Sequence, residues 1–89
     1  SLPETRCEVA DNISRSIDSG VFDGSELDVA TEIIRLLAKD AELRVRETLA
    51  NSLKHSSALP HDVALLMAQD VEEVSLPILE YSNVLSEED

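Results

Sequence analysis

Seven Lys and Arg stand against nineteen Asp and Glu in 89 residues, which makes one small domain with a net charge of −12. Hydrophobic residues at 43% and charged residues at 29% are a globular balance, while two Gly and three Pro are too few for the turns of a sandwich or barrel. The charge excludes a nucleic-acid binder, whose affinity comes from cations at phosphates, and it repels an anionic membrane surface.

One cysteine rules out an internal disulfide and fits a reducing compartment, so a cytoplasmic location is expected. The longest apolar run, Val63 to Ala68, is far short of a membrane span. The chain opens on Ser1 without a visible secretory signal, and a longer parent protein is expected.

Helical spacing dominates the rest. Over residues 3–19, Val9, Ala10, Ile13 and Ile17 step by three and four, with Gly20 placed to end the helix in a left-handed turn. Residues 20–24 form a loop with Phe22 tucked inward. A second helix is expected over 25–39, opened by a Ser25/Asp28 capping box. Its two apolar stripes, Leu27-Ala30-Ile34-Leu37 and Val29-Ile33-Leu36, predict a central helix buried on a wide arc. A third helix over 41–55 has Asp40 as its cap and Val45, Leu49 and Leu53 on one face. A fourth covers 60–69, with Pro60 in its first turn. A fifth covers 71–82, opened by an Asp70/Glu73 box and kinked or ended by Pro77.

Self-similarity organises these helices. Leu36-Leu37-Ala38-Lys39-Asp40 returns thirty residues later as Leu66-Met67-Ala68-Gln69-Asp70. Behind it, Val45-Arg46 with Leu49-Ala50 matches Val74-Ser75 with Ile78-Leu79 after a one-residue deletion. Thr5-Arg6 and Val9-Ala10 align with the same pattern, so the first helix reads as the second half of an earlier unit. In a stack of such hairpins Arg46 is placed to pair with an Asp of the repeat row. The competing reading is a plain five-helix bundle.

At these residues the chain resembles the HEAT-like repeat group, in which an Asp in the turn and Val-Arg in the second helix recur. Asp40, Val45 and Arg46 match in full; Asp70 and Val74 match with Ser75 in the Arg place. Residues 59–70 with Val84-Leu85-Ser86 look like an uncharacterised bacterial family with HEAT-like repeats, typical of alphaproteobacteria. The resemblance implies an all-α fold, a short α-solenoid of stacked antiparallel hairpins, and a scaffold or partner-binding role without catalytic residues.

Chemistry has few candidates. His55 and His61 flank a loop at a spacing that fits no metal site, and surface histidines beside helix ends are favoured. His55 is the one candidate phosphotransfer acceptor, which makes a helical dimerisation or phosphotransfer module the alternative function. Cys7, near Glu4 and Glu8, reads as a passive thiol. No phosphate loop or nucleophile elbow occurs, and no enzyme activity, cofactor or metal is expected. Charge is more informative: residues 1–54 carry −4, and residues 55–89 carry −8 with no Lys or Arg. Asp62, Asp70, Glu72, Glu73 and Glu80 then form an acidic face unrelieved by cations. Two readings stay open, a solvated face and a steering surface for a basic protein partner. Leu85 to Asp89 read as the start of a further helix. An uncovered last repeat would then favour pairing with a second copy.

Overall fold

The periodicity becomes five helices: α1 (Pro3–Ser19), α2 (Gly24–Leu37), α3 (Leu43–Leu53), α4 (His61–Ala68) and α5 (Glu72–Tyr81). The structure, a computed structural model, describes residues 1–82, and no strand occurs among them, so the class is all-α. The expected further helix at Leu85 lies outside the described residues. Gly20 closes α1 as expected, at φ 76°, a left-handed conformation that glycine adopts without the strain a side chain brings. Its N–H donates to the Ile17 carbonyl at 3.2 Å.

Three helix starts differ from expectation. The box that opens α2 is Asp23/Glu26, not Ser25/Asp28: Asp23 accepts from the Glu26 N–H at 2.8 Å, and Glu26 accepts from the Asp23 N–H at 2.9 Å. Asp carboxylate reaches its own N3 amide as well as a serine hydroxyl does, and it adds charge at the positive helix end. Asp40 does not cap α3, which starts two residues later with Glu42 at the cap position; Asp40 instead accepts the Glu42 N–H at 3.0 Å within the turn. No box opens α5 either. Val71 is its cap residue, and Asp70 accepts the Val71 N–H at 2.7 Å. Pro60 precedes α4 as its cap residue, and α5 runs through Pro77 to Tyr81.

Packing places α3, not α2, at the centre. α3 lies between α1 and α5, α2 packs mainly on α1, and α4 packs on α5. Its apolar face, Val45, Leu49, Ala50 and Leu53, is fully buried. α2 buries only Ala30, Ile34 and Leu37; Val29 is 61% exposed and Leu36 71% exposed. Val29 and Leu36 of the second stripe therefore face out while Ile33 is half-buried, and the wide-arc expectation is overturned. Polar contacts show how the central row runs. Glu4, Asp11 and Asp18, one face of α1 at seven-residue steps, bond Arg44, Ser52 and Ser56 in that order. α1 and α3 are thus parallel. Arg46 meets Asp70 near the start of α5, and Lys54 and His55 meet Tyr81 at its end, so α5 is parallel to them too. The alternate helices α1, α3 and α5 form one parallel row, and the molecule is 16 Å thick in its shortest Cα extent, about two helix layers.

Candidate interaction surface

Three arginines reach across the fold to three aspartates with the same two atoms. Arg6 donates Nε to Asp40 Oδ2 at 2.6 Å and Nη2 to Oδ1 at 3.1 Å. Arg46 does the same to Asp70 at 2.8 and 3.1 Å, and Arg35 to Asp62 at 2.9 and 3.2 Å. Such fork-on-fork pairs are the strong form of the ion pair. Two of them sit at repeat positions: Arg6 and Arg46 near the starts of α1 and α3, Asp40 and Asp70 in the turns before α3 and α5. The turns match in backbone detail as well. Lys39 N–H bonds Leu36 and Asp40 N–H bonds Leu37, each at 3.1 Å; thirty residues on, Gln69 bonds Leu66 at 3.2 Å and Asp70 bonds Met67 at 3.1 Å. Arg46 adds a bond to the Asp40 carbonyl at 2.8 Å, which ties the second clasp back to the turn of the first.

The clasps tune their carboxylates. Hydrogen bonds from Arg6, Arg46 and Arg35 hold Asp40, Asp70 and Asp62 below the ordinary aspartate range, against a smaller desolvation that pushes upward. The same bonds raise the three arginines. Asp40 and Asp70 are only 11% and 18% exposed, so water weakens these two pairs little. At the exposed edge, Arg44 lowers Glu4 by a hydrogen bond.

This geometry corrects the acidic face. Asp62 and Asp70 are relieved by cations, Arg35 and Arg46, that come from α2 and α3. A count by sequence halves missed them because the pairs span 24 and 27 residues. Glu72, Glu73 and Glu80 remain exposed and outside the ion pairs among the described residues. Val45 and Val74 are core residues, and Ser75 is buried where a third Arg would stand.

Candidate chemistry does not converge. His55 is exposed and meets Tyr81 edge-on, with ring centres 5.1 Å apart, while Lys54 lies 4.8 Å over the same Tyr81 ring. Half-buried Cys7 lies 3.6 Å from the Arg44 carbonyl. Among the described residues no group of acids, histidines and cysteine could hold a metal ion, and no helix is long and apolar enough to cross a membrane.

What the surface does offer is apolar. A groove of about 370 Å³ lies between α1 and α2, lined by Ile13, Phe22, Val29, Ala30 and Ile33 with Glu26 at its edge. Sequence reasoning placed Val29 and Ile33 in the core and so missed it. The signal available was Glu26 and Glu32, which flank Val29 and Ile33 on the helix circumference and mark a solvent side. Searches against family models, curated proteins and solved structures find no match for this chain.

Proposed function

We propose that the chain is a non-catalytic protein–protein interaction module, a HEAT-like stack of helical hairpins serving as a scaffold in a bacterial cytoplasm. The observation that carries this reading is the repeated clasp. One Arg–Asp geometry joins α1 to the turn before α3, and again joins α3 to the turn before α5. The contact recurs from one hairpin to the next, with its aspartates thirty and its arginines forty residues apart, as a stack of equivalent units requires, because each unit buries its face only against its neighbour. The parallel row α1, α3, α5 supports the same reading. Stacks of this kind act through their surfaces, and this one carries several exposed large apolar side chains, among them Val29, Leu36 and Leu79.

The test is photo-crosslinking in cells, with the reactive amino acid placed in turn at Val29, Leu36, Leu79 and, as a polar control, exposed Asn51. Discrete protein adducts from at least one apolar position and none from Asn51 are expected. No adduct at any apolar position would contradict the proposal. So would an acid-labile label from a phosphodonor that disappears in His55→Ala, which would favour the phosphotransfer alternative.

A further inference from the structure

We propose that the groove between α1 and α2 binds a basic amphipathic helix of a partner protein. This rests on the reading of the chain as an interaction module and names the surface and the partner chemistry.

Internal comparison shows what shape the groove lacks. Thirty residues separate equivalent positions of the two hairpins, which sets Ile33 of α2 against Val63 of α4, while Leu59, thirty residues after Val29, lies in the loop before α4. Leu59 and Val63 are 3% and 1% exposed, whereas Val29 is 61% exposed and Ile33 half-buried. The fold covers this face in the second hairpin and leaves it open in the first. A face of that kind is closed by a helix laying an apolar stripe along it, the helix-in-groove mode of recognition. Phe22 and Ile13, both half-buried against the core, supply the opposite wall.

Charge selects the occupant. Residues 16–34, which hold the loop and most of α2, contain Asp18, Asp23, Glu26, Asp28 and Glu32 and no Lys or Arg. The cations at either end are already paired, Arg15 to Asp11 and Arg35 to Asp62 and Glu32. An apolar groove with Glu26 in its lining, in a stretch where Glu32 alone is met by a cation among the described residues, attracts a helix flanked by Lys and Arg and repels one flanked by acids. A second copy of this chain is disfavoured on the same ground, since each copy carries −12.

The test uses the whole chain and three labelled synthetic helices of about eighteen residues, followed by fluorescence anisotropy and by amide chemical shifts. One has a leucine stripe at i, i+3, i+4 and i+7 with Lys flanks, the second the same stripe with Glu flanks, and the third the Lys content with a scrambled stripe. The basic striped helix is expected to bind at least tenfold more tightly than either other. Shift changes should centre on Ile13, Phe22, Val29 and Ile33. Val29→Lys, at an exposed position that leaves the core intact, should cost at least tenfold, and Leu79→Lys on α5 should cost nothing. Equal binding of the acidic helix, shifts centred on α5, or indifference to Val29→Lys would overturn the proposal. So would a dimer of the chain itself that Val29→Lys dissociates. Crosslinks in cells from Leu79 but not Val29 would sink this site while leaving the interaction reading intact. Crosslinks from neither would sink that reading first.

Discussion

At the scale of single residues, the two half-buried clasps tie α1 and α3 to the turns before α3 and α5. Removing Asp70 leaves the Arg46 guanidinium, itself only 19% exposed, without its bidentate partner. A charge-assisted bond of this kind contributes about 1.5–3 kcal/mol, so Asp70→Ala should lower unfolding free energy by about that much in chemical denaturation. In a double-mutant cycle with Arg46→Gln most of that loss should be shared; additive losses would show that the pair carries no coupling. The pH dependence follows from the depressed aspartates. Their folded pKa lies below the unfolded value, so the stabilisation is present above the ordinary aspartate range, near 3.8, and is lost as pH falls through the folded value. The stability gap between the chain and its Arg6→Gln/Arg46→Gln variant should therefore be constant from pH 7 to 5 and close below about 4. A gap that does not shrink as pH falls below about 4 would assign the effect to arginine packing instead. Only part of this pairing is legible in sequence. Arg6 and Asp40 lie 34 residues apart, and only the fold brings them together. The repeat indicated that Arg46 would meet an Asp of the row, but not that Asp40 would give up its cap role to Arg6.

At the scale of elements, periodicity recovered what depends on neighbours in sequence and failed where partners decide. The five helices and the left-handed end of α1 at Gly20 follow from spacing and from one special residue. The burial of α2 does not follow, because Val29 and Leu36 have the same hydrophobic step as buried Ala30 and Leu37, and only the neighbours present decide which stripe is covered. Two substitutions separate the cases. Leu49→Ala in the central helix should cost about 2–5 kcal/mol, whereas Leu36→Ala should stay within about 0.5 kcal/mol, both read from denaturant midpoints. Comparable losses would restore α2 as the centre. At the start of α2, Asp23→Ala should lower the denaturant midpoint measurably and Ser25→Ala far less, since Asp23 makes the box; the reverse order would show that the helix begins later.

For the whole molecule, charge and stacking make separate claims. At −12 the exposed carboxylates repel one another, and the half-buried clasps are screened less than they are. Added NaCl over the Debye-screening range should therefore raise the melting temperature. A fall would mean that exposed ion pairs dominate stability. The sequence carried the net charge and the thirty-residue period, but the distribution of that charge was legible only in part. Glu72, Glu73 and Glu80 remain open, while Asp62 and Asp70 are closed by arginines from α2 and α3. The central claim is that equivalent hairpins stack and each is held by a repeated clasp. Native-state amide hydrogen exchange on Asp70→Ala tests it most directly. A stack opens unit by unit, so exchange should accelerate in α4 and α5 while α1, α2 and α3 keep their protection. Equal loss of protection across all five helices would show one cooperative bundle, and would contradict the stack.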